Sequence, residues 1–127
     1  MKKLKLLFKI GFYFVNIVLI IFYLYPGSIL GYLLYGDSFL QPQITRDFII
    51  SSNHFYIFII LSFLGMFAYW NKKKIKYVVL YLFLLSIILE LFHIIIPNRG
   101  FEWSDLFGNF FGVLIVIIIY KVRNQYV

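Results

Sequence analysis

Four stretches of this chain are apolar on every side over the length that a helix needs to cross a bilayer, and this constrains the fold more than any other feature. They run from about Leu6 to Tyr25, His54 to Trp70, Ile75 to Ile96 and Ser104 to Tyr120. A spanning helix takes roughly 20 apolar residues. Strands that cross membranes instead alternate in polarity and close into large barrels. Hydrophobic residues make up 63% of the 127 and charged residues 13%, whereas soluble domains are about half apolar and about a quarter charged. The residues predict an all-α, polytopic membrane protein: one domain over residues 1–127 with four transmembrane helices.

The first run opens with Lys2, Lys3 and Lys5 and is interrupted only by Lys9, Gly11 and Asn16. Signal peptides share a basic start but have a shorter apolar core and a small-residue cleavage site. Tyr23, Leu24, Tyr25 and Pro26 offer no such site, so the run reads as an uncleaved anchor. Lys and Arg concentrate in short cytoplasmic loops. With four spans, Lys2, Lys3, Lys5, Lys9, Lys72, Lys73, Lys74, Lys76, Lys121 and Arg123, ten of the twelve basic residues, share one side, and Arg46 and Arg99 are left on the other. Both termini are therefore expected in the cytoplasm. The same topology puts Asp37, Asp47, Glu102 and Asp105 outside, with Glu90 in the outer half of the third helix. Residues 26–53 form the outer segment between the first two spans. Gly27, Gly31, Gly36 and Pro42 interrupt it, yet it is rich in Leu, Ile and Tyr, which suits either a surface-lying or a re-entrant path. With no cysteine, a disulfide framework, a thiolate nucleophile and a cysteine metal site are excluded.

Polar residues at depth carry the functional information, because an ionisable group near the bilayer centre costs a few kcal/mol or more unless paired or hydrated. Glu90 lies seven residues before Pro97, about 10 Å from the helix end at 1.5 Å per residue. His93 follows three residues later and shares its helix face, so the two either satisfy each other or meet a common ligand. Glu-x-x-His is also the spacing of di-iron carboxylate bundles, but those need two such motifs and two further carboxylates. A single copy predicts no metal site, and nothing else in the sequence implies a cofactor. Beyond Pro97, Arg99 stands on the side that lacks basic residues, beside a helix N-terminus, which is a ready site for an anion. Asp105 and Asn109 share a face of the last helix, while Gly108 and Gly112 form a small-residue pair suited to close packing. His54 stands at the head of the second span. The derived topology gathers His54, Glu90, His93, Arg99, Asp105 and Asn109 at the outer ends of three helices. A phosphate-binding glycine loop, His-Glu-x-x-His and a nucleophile elbow are all absent, and the basic residues border spans in a way that excludes nucleic acid as a partner.

Glu90, Leu91, Phe92, His93, the apolar Ile94 to Ile96, Pro97, Asn98 and Arg99, followed by Ser104, Asp105, Asn109 and Gly112, resemble the signature of the VanZ-like family. That signature reads Glu-x-x-Gln, an apolar stretch, Pro-x-Arg, then Asp-x-x-x-Asn-x-x-Gly. Asn53, His54 and Phe55 are similar to the family's His-Phe at the head of the preceding helix, so the resemblance covers roughly His54 to Tyr120. His93 replaces the family's Gln, and Ile50 and Ser51 stand where the family often has Asp-Lys. The namesake is associated with resistance to the glycopeptide teicoplanin. The resemblance thus implies a multi-pass protein of a bacterial cell membrane with work in the cell envelope.

Two functions from different classes follow. In the first, the protein binds or acts on an anionic, lipid-linked envelope headgroup, with Arg99, Asp105 and Asn109 as ligand-binding residues and Glu90, His93 and His54 as candidate acid/base groups. In the second, it is a non-catalytic accessory subunit whose polar residues fasten helices and present a surface to another membrane protein or a second copy. A transporter or channel is less well supported, since the inner halves of the spans are nearly featureless apart from Lys9 and Asn16. Whether any bond is made or broken is left open by the sequence.

Overall fold

The computed structural model describes residues 2–70 and 73–125; Lys72 of the basic group lies outside them. The described residues form five helices and no strand: α1 Lys2–Leu24, α2 Ile29–Tyr35, α3 Ser52–Ala68, α4 Ile75–Phe92 and α5 Trp103–Gln125. The helix ends follow from local chemistry. The Ser28 side chain accepts the Gly31 N–H at 2.9 Å and so opens α2, which closes at Gly36 in the left-handed region (φ 69°), its N–H bonded to the Tyr32 carbonyl. The Asp47 carboxylate accepts the Ser52 N–H at 2.7 Å and thereby satisfies a free donor at the start of α3. In α5, Asp105 in the first turn and Arg123 in the last both complement the helix dipole.

Two boundaries differ from expectation. The third apolar run was expected to be helical to Ile96, but α4 ends at Phe92. The N–H groups of His93, Ile94 and Ile95 bond the carbonyls of Glu90, Leu91 and Phe92 at 3.1, 3.1 and 3.0 Å, the tighter three-residue pattern that closes many helices. Pro97 disfavours the helical conformation in the residue before it, and Asn98 at φ 58° reverses the chain. The fourth run starts one residue early, at Trp103, which puts Ser104 inside the first turn.

Of the four expected spanning helices, three are long and apolar enough to cross a membrane: α1, α4 and α5. Helix α3 has 17 residues, about 25 Å at 1.5 Å per residue, against a hydrocarbon core of about 30 Å. It carries the chain back between the two ends of the bundle. At one end, Lys5 Nζ donates to the Trp70 carbonyl at 3.5 Å, and Arg123 lies 4.9 Å from the Trp70 ring centre. The start of α1 and the ends of α3 and α5 therefore meet there, and we name this the basic end. Helix α2 lies at the other.

Helix α3 is the central element and packs against α1, α4 and α5. Phe58, Leu61 and Met66 from α3 join Leu82 from α4 and Val113 from α5 in the fully buried core. The tightest contact is between α3 and α5. A Cβ added at Gly108 would come within 2.7 Å of the Ser51 carbonyl oxygen, and one at Gly112 within 2.6 Å of the Phe55 carbonyl oxygen. Glycine is thus the residue that lets the two backbones touch. The outer faces remain apolar: Leu7, Phe14 and Ile17 on α1, Leu80 and Leu84 on α4, and Ile115 and Ile118 on α5 are all exposed. Contiguous apolar surface on this scale requires a non-aqueous partner.

Gly112→Val is expected to lower stability by about 1–3 kcal/mol through overpacking. Gly100→Ala, at a position with open space around it, should stay within about 0.5 kcal/mol of wild type. Thermal unfolding of the two variants in the same detergent checks the contrast.

Candidate functional site

The α2 end of the bundle holds a cluster of polar side chains buried among apolar ones. Glu90, near the last turn of α4, is 0% exposed. Its Oε1 accepts the backbone N–H of Glu102 at 3.1 Å, and Oε2 lies 3.3 Å from His93 Nδ1 and 3.9 Å from His54 Nδ1. Because α4 stops at Phe92, His93 is its C-cap and not a further helical residue. The ring still reaches Glu90 on one side, while Nε2 lies 3.1 Å from the Tyr23 carbonyl oxygen on the other.

His54 enters from the first turn of α3, where Gly108 lets α5 come close. Its Nε2 is 3.5 Å from Asp105 Oδ2; its Nδ1 is 2.9 Å from the Tyr23 hydroxyl and 3.1 Å from Asn109 Oδ1. Asn109 is saturated: Nδ2 donates to the Ser86 carbonyl at 3.1 Å, and Oδ1 also accepts from the Tyr23 hydroxyl at 2.5 Å. It sits fully buried behind His54. Arg99 reaches across to the end of α1, where Nη2 donates to the Phe22 carbonyl at 3.0 Å and Nε to the Tyr25 carbonyl at 3.3 Å. Half-buried, its guanidinium is pulled below its ordinary pKa by desolvation, while Tyr23, Asp105 and Glu90 pull the other way.

All six residues singled out in the sequence, His54, Glu90, His93, Arg99, Asp105 and Asn109, lie at this end. Tyr23 is the member that sequence reasoning missed. It is 7% exposed, bonds both His54 and Asn109, and stacks on His93 with ring centres 5.3 Å apart and planes 17° from parallel. A Tyr at the end of a span is ordinary in the interfacial belt, so its type carried no signal. Its depth, level with His54 in a paired helix, was the only available clue.

Two cavities flank the cluster. One, of about 410 Å³, is apolar and is bounded by Phe14, Val18, Leu19 and Phe22 of α1, Ile29 and Leu34 of α2, and Ile57 of α3. The other, of about 270 Å³, is polar and is lined by Asp47, Asn98, Glu102 and Asp105. Ser28, His54, His93 and Arg99 line both. The outer segment forms part of the cover: Asn53 bonds the Pro42 carbonyl at 2.6 Å and the Ile44 N–H at 2.9 Å, which holds Gln41 and Gln43 over the cavities. Chemically the arrangement offers one cation, several carboxylates and two imidazoles at the mouth of a greasy slot.

Asn109→Leu should destabilise the protein by about 1–3 kcal/mol, because it removes the buried hydrogen bonds of Asn109 with the Ser86 carbonyl, the Tyr23 hydroxyl and the His54 ring. Leucine is similar in volume, so the loss reports hydrogen bonding rather than a cavity. The midpoint of thermal unfolding in detergent measures it.

No curated protein and no solved structure matches the chain. The family model described as VanZ/LLP1 matches residues 6–124, nearly the whole chain, and the protein belongs to that family.

Proposed function

We propose that this VanZ-family membrane protein binds an anionic, lipid-linked headgroup of the cell envelope at the α2 end, with that end outward and both termini in the cytoplasm. The observation that carries the reading is the pair of cavities sharing Ser28, His54, His93 and Arg99. An amphiphile has an apolar chain and a polar head, and a ligand pocket is typically a largely apolar cleft with a few convergent polar groups. In this reading the chain lies between α1 and α2, and the head lies in the polar cavity.

Arg99 supplies the charge recognition. Its Nε and Nη2 are held by the Tyr25 and Phe22 carbonyls respectively, so the guanidinium is oriented before a ligand arrives, which lowers the ordering cost of binding. Arginine also matches phosphate or carboxylate through paired donors. Asp105, His54 and His93 border the same space and would contact polar groups of the head. Glu90 and Asn109 line neither cavity; they hold the histidines from behind. The orientation rests on the basic residues gathered at the opposite end, which suits the cytoplasmic face. A contribution to glycopeptide resistance would follow if the bound headgroup belonged to a cell-wall precursor.

Native mass spectrometry of protein extracted with its own lipids tests the reading. Wild type should retain a discrete anionic species, Arg99→Ala should lose it, and Arg99→Lys, which keeps the charge without the planar fork, should keep only part. Equal retention of bulk lipid in all three would contradict it and favour the accessory-subunit alternative.

A further inference from the structure

Three helices each bring one metal-ligating side chain to the same place: His54 from α3, Glu90 from α4 and Asp105 from α5. One ligand atom from each lies within 4.8 Å of the other two. Such proximity alone means little, but two features of the surrounding chemistry, one on each edge of the His54 ring, call for positive charge. The first is Glu90 Oε2, which is fully buried, accepts no hydrogen bond, and is aimed between ring nitrogens of His93 and His54.

The second is the tautomer of His54. The Tyr23 hydroxyl spends its single proton on Asn109 Oδ1, and Asn109 is held in that orientation because its Nδ2 donates to the Ser86 carbonyl. Both oxygens next to His54 Nδ1 can therefore only accept, and Nδ1 carries the proton. In the neutral ring, Nε2 is then a lone pair facing Asp105 Oδ2 at 3.5 Å. Two electron-rich atoms at that distance repel unless a proton or a metal cation lies between them.

We propose that His54, Glu90 and Asp105 form a binding site for one divalent transition-metal ion of the zinc class. An imidazole with carboxylates is a donor set suited to such ions. A metal-bound histidine ordinarily donates its other N–H to a neighbouring group, as Nδ1 does here. Donors bound at about 2.1 Å in tetrahedral geometry are about 3.4 Å apart; His54 Nε2 and Asp105 Oδ2, at 3.5 Å, already match this, and the widest pair of the set, within 4.8 Å, has to close by up to about 1.4 Å on binding an ion. A dication balances the two carboxylates, and the remaining coordination positions open towards the polar cavity that His54 and Asp105 line. A single Glu-x-x-His argued against a metal because it considers one helix; the ligands here come from three.

The site stands independently of lipid binding, so the test uses lipid-free detergent. Protein stripped with a chelator is dialysed against Zn²⁺ alone or Co²⁺ alone, and bound metal is counted by elemental analysis. Wild type should hold one ion per chain, with a ligand-field spectrum for Co²⁺ and a rise in unfolding temperature on adding Zn²⁺. His54→Ala and the near-isosteric Asp105→Asn should hold none, while Asp37→Asn, at a carboxylate that lines neither cavity, should bind like wild type. Size exclusion and circular dichroism confirm that each variant is folded. Folded wild type without stoichiometric metal, or equal binding in Asp105→Asn, would overturn the site. A wild type that carries no discrete anionic lipid on extraction yet binds metal would overturn only the headgroup reading.

Discussion

The structure is organised around one costly act, the burial of the Glu90 carboxyl with no access to water. A lone carboxylate in an apolar bundle costs several kcal/mol, so other elements have to bring polar partners to it. The early end of α4 turns His93 back towards it. The 93–102 connection folds so that the Glu102 N–H meets Oε1, and α3 enters at a height that places His54 within 3.9 Å of Oε2. The close approach of α5, permitted by Gly108 and Gly112, then brings Asp105 and Asn109 to the far side of the same histidine. One buried acid thus accounts for the helix ends, the glycine pair and the polar cluster together.

Apolar packing and polar hydrogen bonding are separated along the bundle axis. Away from the α2 end, the core is Phe58, Leu61, Met66, Leu82 and Val113, and the outer faces are apolar. Towards the α2 end the same helices exchange packing for hydrogen bonds, with Tyr23 and Asn109 linking α1, α3, α4 and α5 through His54 and the Ser86 carbonyl. A network that joins four helices at one level fixes their relative register, because every member must be satisfied at once. It also leaves Arg99, His54 and His93 facing a cavity of each polarity, an arrangement that simple fastening of helices does not require.

Much of this was legible in the sequence because membrane solvent makes polarity scarce. Glu90, His54, Arg99, Asp105 and Asn109 stand out against apolar runs, and charge asymmetry alone puts them at one end. Helix type followed from the same runs. Tyr23 was not legible, since its hydroxyl matters only through partners 31 and 86 residues away. The end of α4 was misread because Ile94 to Ile96 continue the apolar pattern while the backbone has already tightened ahead of Pro97. The 17 residues of α3 fall short of a full span even with the polar Ser52 to His54 counted among them. The path of residues 36–51 was also hidden, for it depends on single contacts such as Asp47 to Ser52 and Asn53 to Pro42, which leave no periodic trace.

The central claim is that the apolar cavity and the polar cavity form one amphiphile site inside the bundle. Photo-crosslinking with an anionic phospholipid carrying a diazirine in mid-chain tests it most directly, with adducts located by peptide mass spectrometry. The account predicts labelling concentrated on cavity residues such as Val18, Leu19 and Ile57, and competed away by unlabelled anionic lipid. Labelling spread evenly over outward residues such as Leu80 and Ile118, with none in the cavity, would contradict it.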